Sequence, residues 1–199
     1  MNFKICTKKI ELNYIYIYNR YIMLFVTINI YTIVILGAGL IPVSKLHNKL
    51  YFLLGKDIAY NKWSDFGGKS ERGESRLSTA AREGYEETNG FLGTQQQIKQ
   101  NIIKSHLPIF KTHDNRHSCY LMNIKYNKEL PMYMTNNYYF IKDNIPHVID
   151  NNDNGLYEKD IIDWFTIEEL KNFSEFRSYF IDIVWKIDKK YDEILEKYD

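Results

Sequence analysis

An α/β domain is what this sequence predicts, and three segments carry the expectation. His47-Asn48 stands between two apolar runs, residues 33–43 and 50–54, as the turn of a strand hairpin would. Further on, Leu77, Ala80, Ala81 and Gly84 recur at helical spacing and make a small, apolar face suited to lying on a sheet. Near the C-terminus, Phe176, Phe180, Ile183, Val184, Ile187, Tyr191, Ile194, Leu195 and Tyr198 form a longer stripe of the same period, the pattern of a helix packed on a core.

Taken in order, the chain opens with an extension, residues 1–32, ahead of a domain at 33–199. Residues 21–44 contain no charge, a length that can span a bilayer, and Lys4, Lys8, Lys9 and Arg20 precede them as in a signal anchor. The Ile, Val, Thr and Tyr bias of the run favours strands instead. The extension is therefore read as strand-forming or poorly ordered, with a membrane anchor over 21–44 as the alternative and Met23 as a second start. In the domain, Gly37 and Gly39 suggest bulges in the first strand. Residues 60–66 are expected to form a loop, and 102–110 and 118–126 further strands, the latter with Cys119 and Leu121 on one face and Tyr120, Met122 and Ile124 on the other. Residues 132–154, rich in Asn and aromatics, read as a long loop, 161–165 as a short strand, and Thr166 with Glu169 as a capping box opening a helix.

The 199 residues suffice for one domain with a real core. A net charge of +1, from 26 basic and 25 acidic side chains, argues against a broad nucleic-acid footprint. Two cysteines, Cys6 and Cys119, lie far apart and have no metal-ligand spacing, so unpaired thiols in a reducing, cytoplasmic compartment are expected.

The chemistry is concentrated in residues 67–90. Gly67-Gly68 reads as a turn whose backbone can come close to a ligand. In the helix that follows, Glu83 and Glu87 are four apart and Glu86 is three from Glu83, so the three share a face. Such a cluster repels itself unless a hard divalent cation sits among the oxygens, and Arg82 can hold a neighbouring carboxylate by a bidentate hydrogen bond.

These residues resemble the Nudix box: Gly, five residues, Glu, seven residues, Arg-Glu, an apolar residue, any residue, Glu-Glu, any residue, Gly, apolar. Gly68, Glu74, Arg82, Glu83, Glu86 and Glu87 fall at the required places, while Gly84 stands at the apolar position and Asn89 at the closing glycine. Asn is the next-best residue for a left-handed helix stop. The resemblance implies an α/β/α sandwich with a mixed β-sheet between helices. It further implies a hydrolase of acid anhydrides in phosphorus-containing substrates, a pyrophosphohydrolase of a nucleoside diphosphate linked to another group, dependent on Mg²⁺ or Mn²⁺. By position, Gly68, Glu83, Glu86 and Glu87 would hold metal, Arg82 would orient Glu83, and Glu74 would brace the turn or join the outer metal shell. The base would be Glu83 or a later glutamate, for which Glu158 is the first choice over Asp153 and Asp160.

The partner implied is a small nucleotide. Removal of an RNA cap is the alternative, for which Lys99, Lys104, Lys111 and Arg116 could line a channel, and a non-catalytic nucleotide-binding module is the third reading. Tyr60, Trp63, Tyr120, Tyr138, Tyr139 and Phe140 are candidates for stacking on a base, with His113 and His117 open as to role.

Overall fold

The computed structural model describes residues 36–150 and 155–198. The expectations for the 1–32 extension, Cys6 and Asp153 lie outside them. The domain is α/β. Strand β1 (Gly37–Leu46) runs through the centre of a seven-stranded mixed sheet, turns at His47 and Asn48, and returns as β2 (Lys49–Asp57). Both turn residues have positive φ, 48° and 59°, the conformation a two-residue hairpin demands. Strand β2 then diverges from β1, and β3 (Lys62–Ser64) and β4 (Phe66–Lys69) follow. Strand β4 takes over the edge of β1 that β2 has left, pairing Ala38 with Gly68 and Gly39 with Gly67.

The other edge of β1 pairs in parallel with β6 (His117–Asn123), which pairs with β5 (Ile109–Lys111), while β7 (Lys159–Thr166) pairs with β2. On one face lie α1 (Arg76–Glu86), α2 (Gln95–Ser105) and α3 (Leu130–Asn144), closing over Ala38, Leu40, Leu53, Phe66 and Met122. After the short α4 (His147–Asp150) and β7, helices α5 (Ile167–Asn172), α6 (Ser178–Lys189) and α7 (Tyr191–Glu196) complete the chain. They cover the opposite face, over Ile41, Phe52, Cys119, Leu121 and Phe165. The alternation expected along β6 is observed, and Thr166 with Glu169 caps α5 as foreseen.

Six expectations are corrected. Residues 102–105 end helix α2 instead of opening a strand. Thr94 and Gln97 form a capping box there, and Ile98 and Ile102 share the buried face, so β-branched side chains mimicked a strand. Most of 132–154 is helix. Pro131 sits in the first turn of α3, and Met134 and Tyr138 bury its inner face, so packing overrides the weak propensity of the Asn-rich sequence. The final stripe is divided between α6 and α7 by Lys190, and strand β3 interrupts the 60–66 loop. Gly37 and Gly39 lie in unbroken ladders; they are required by close approach, since a Cβ on Gly39 would overlap Asp65 Oδ2. Residues 37–44 belong to the buried central strand, so no bilayer span reaches Ser44. Among the described residues, no helix is long and apolar enough to cross a membrane.

Candidate active site

Ser75 starts helix α1: it is extended and its hydroxyl accepts the Ser78 N–H at 3.1 Å. Its small face lies on β1, and Gly84 is needed there because a Cβ would come within 2.7 Å of Leu40 Cδ2. This close seat brings the carboxylates at the helix end to β4. Gly67 and Gly68 form part of that strand and have no positive φ, which corrects the glycine turn expected from sequence. Their smallness serves contact: a Cβ on Gly68 would lie 2.5 Å from Glu83 Oε1.

The Glu87 carboxylate accepts the Gly67 N–H at 2.6 Å and is buried. Arg82 gathers the other carboxylates. Its Nε donates to Glu74 at 3.0 Å, its Nη1 to Glu86 at 2.7 Å with Glu83 Oε1 at 3.0 Å, and its Nη2 to the Lys69 carbonyl at 2.9 Å. Glu74 also accepts the Glu71 N–H and the Thr79 hydroxyl, so it braces the loop before the helix. Beyond Glu87, Asn89 and Gly90 both take left-handed backbone and end the helix, as expected of Asn89.

The segment before β7 closes the site. Tyr157 donates its N–H to Asn89 Oδ1 at 2.9 Å, and a Cβ on Gly155, φ +75°, would touch Glu86 Oε2 at 2.8 Å. Glu158 follows, exposed, with its charge felt at both Glu83 and Glu87. Lys159 is a site residue that sequence reasoning missed. Its buried ammonium lies 3.4 Å from Glu87 Oε1 and 3.6 Å from Asp57 Oδ2, and it donates to Ser64 at 3.1 Å. No local signal marks it, because its partners come from β2, β3 and α1.

Burial raises the Glu83 carboxyl to about 7, against the pull of Arg82 and aided by the Glu86 charge. Burial also lifts Glu86, and it pushes Glu87 well above the usual range despite Lys159. Glu158, though exposed, is raised too, by partial loss of surrounding water and by the Asp57 charge. At Glu74 burial is outweighed by Arg82, and the carboxyl is held below its ordinary value. Carboxylates that burial makes reluctant to ionise, set at the end of one helix with Glu83 beside Gly68 and Glu87 on the Gly67 N–H, suit a hard divalent cation; its charge reverses the penalty on each.

Fold and box together resemble a Nudix hydrolase. Among solved structures, the chain is similar to an Ap4A hydrolase from C. elegans, at 18% identity over 79% of this chain and 98% of that one, TM-score 0.48. It is similar to the MutT protein of Methanosarcina mazei Go1, at 17% over 79% and 94%, TM-score 0.43, and to a Nudix hydrolase from M. smegmatis, at 10% over 80% and 87%, TM-score 0.44. No protein-family model and no curated protein matches the chain. Identities and TM-scores this low speak for neither substrate nor mechanism.

Around the Nudix box, the aromatic candidates separate by burial. Trp63 and Tyr138 are buried, and Trp63 packs edge-on against Phe165, so they belong to the core. Tyr139 and Phe140 are exposed on α3, and Tyr120 is half-buried on β6. Tyr60 is exposed with the Arg177 guanidinium 3.9 Å over its ring. His113 offers its main-chain N–H to Asp182, whereas His117 turns inward.

Proposed function

We propose that this chain is a metal-dependent Nudix pyrophosphohydrolase that cleaves the diphosphate of a nucleoside diphosphate linked to a second group. The observation that supports this best is that Arg82 holds Glu83 and Glu86 together beside Gly68, while Glu87, at the end of the same helix, lies against the Gly67 N–H. In this reading Glu83, Glu86 and Glu87, with the Gly68 carbonyl, hold Mg²⁺ or Mn²⁺. The bound cation supplies charge neutralisation for the diphosphate and a more acidic water.

The protein's own side chains have distinct tasks. Arg82 holds the Glu83 and Glu86 oxygens in one orientation, and Glu74 fixes Arg82 from behind. Lys159 offsets part of the Glu87 charge and keeps that carboxylate against Gly67. Glu158, exposed at the rim with a raised proton affinity, is the proposed proton acceptor for the attacking water. Glu83, deeper and held by Arg82, is better suited to a ligand.

The RNA-cap alternative draws little support: Lys99 donates to Ser78 and Arg116 is paired with Asp114, which leaves a thin basic path from Lys104 and Lys111.

The test is hydrolysis of a panel of nucleoside triphosphates, dinucleoside polyphosphates, sugar nucleotides and capped RNA with Mg²⁺ or Mn²⁺, alongside Glu86→Gln and Glu87→Gln. Cleavage by the wild type, reduced more than about 100-fold in both variants, is expected. If the wild type cleaves nothing, or the variants equal it, the reading fails.

A further inference from the structure

The opposite face of the sheet carries a second cluster that the box does not use. Asp65, between β3 and β4, is fully buried, and its Oδ2 lies 2.8 Å from His117 Nε2 and 2.7 Å from Cys119 Sγ. The three donor atoms lie within 4.8 Å of one another. Tyr179 of α6 donates to Asp65 Oδ1 at 2.6 Å, and its ring lies over His117. Cys119 belongs to the core shared with α6, so the cluster and the box are on different sides of the sheet.

The sheet leaves room for this meeting. His117 and Cys119 are two apart on β6, on one face, and their partners on β1 are Gly37 and Gly39. Any side chain at Gly39 would occupy the place of Asp65 Oδ2, and a Cβ on Gly37 would stand 3.1 Å from His117 Nδ1. Two glycines on the central strand thus open a trough through which a carboxylate from the link between β3 and β4 reaches an imidazole and a thiol on β6.

We propose that Asp65, His117 and Cys119 form a zinc site, separate from the Nudix box, with the fourth position open to water or the Tyr179 hydroxyl. One oxygen, one nitrogen and one sulfur suit Zn²⁺, whose structural and catalytic sites use these donors, and suit Mg²⁺ poorly. Charge points the same way. Without metal, the buried carboxylate has the Tyr179 hydroxyl on Oδ1, while its Oδ2 faces a neutral thiol, a weak donor, and one imidazole. With Zn²⁺ bound by carboxylate, thiolate and neutral imidazole, the charges sum to zero, which a buried trough favours. The Cys119 proton leaves to solvent, and the His117 proton moves to Nδ1. The site would tie β4, and with it Gly67 and Gly68, to β6.

The experiment is Co²⁺ titration of the reduced, chelator-stripped full chain, followed by displacement with Zn²⁺. A thiolate-to-cobalt charge-transfer band at one equivalent is expected, removed by Zn²⁺ and unaffected by excess Mg²⁺. The band should persist in Cys6→Ser and in Glu86→Gln and vanish in Cys119→Ser. If Cys119→Ser does not fold, His117→Gln replaces it, with a shifted or weakened band expected. Absence of the band in the wild type, its loss in Cys6→Ser, or its survival in Cys119→Ser overturns the proposal and leaves the cluster as a hydrogen-bonded tie.

Discussion

The Lys159 ammonium lies 3.4 Å from Glu87 Oε1, and the two side chains are only 0% and 2% exposed. A cation of the protein's own thus sits against a carboxylate of the Nudix box, where the proposed metal would also act. Removing it with Lys159→Met strands the Glu87 charge in the interior, while Asp57 keeps the Arg177 guanidinium at 3.3 Å. The expected loss is about 3–5 kcal/mol in urea unfolding with chelator present. Saturating Mg²⁺ should recover part of it, because a bound cation supplies Glu87 with countercharge. An equal loss with and without Mg²⁺ would separate Lys159 from the site.

Arg82 depends on its planar fork, which serves Glu74, Glu83, Glu86 and the Lys69 carbonyl together. Arg82→Lys keeps the charge and loses the geometry. Apparent Mg²⁺ affinity is expected to fall about 10–100-fold, with most of the activity recovered at high Mg²⁺. A metal titration of the activity, run on both proteins, reads the difference.

The raised carboxyls make stability depend on pH in a stated direction. In the fold Glu83 holds its proton to about 7, while in the unfolded chain it releases it near 4.5, the ordinary value for a glutamate. Between those values the folded state binds more protons, so stability falls as pH rises through the window and levels off above it. Glu86 and Glu87 are shifted in the same direction. The drop is on the order of 2–3 kcal/mol for Glu83 alone, measured by urea unfolding with chelator between about pH 5 and pH 8. Mg²⁺ should flatten the slope. Asp65 acts oppositely: burial is outweighed by His117, Cys119 and Tyr179, the carboxyl is held at about 2, and its contribution is lost only below about pH 4.

Gly68→Ala tests the contact between β4 and the box. The new Cβ would meet Glu83 Oε1 at 2.5 Å and push the carboxylate aside. A loss of activity of about 100-fold is expected from such a displacement, with a much smaller change in thermal stability, since the carboxylate end is able to move. Activity assays and thermal melts on one preparation separate the two effects.

What could be read from the chain alone depended on how local its cause is. The box was legible residue by residue, because Glu83, Glu86 and Glu87 share a helix face by spacing, and Asn89 acts on its own backbone. The β1–β2 hairpin and the α5 capping box were legible for the same reason. Helix α3 was not, since its Asn-rich sequence has low intrinsic propensity and only burial of Met134 and Tyr138 makes it helical. Ile102 and Ile103 resemble a strand because their β-branching masks the helix that Thr94 and Gln97 cap.

The sequence by itself determined the donor set of the candidate site and the helix that displays it, because periodicity within one helix is set by local backbone geometry. Tertiary structure alone decided what those donors face. The divergence of β2 from β1 admits β4, which brings Gly67 to Glu87 and Gly68 to Glu83, and the pairing of β7 with β2 brings Lys159 to Glu87. Asp65, His117 and Cys119 meet only because Gly37 and Gly39 leave the face of β1 bare. Contacts of that kind join residues far apart in the chain, and only the packed sheet places them together.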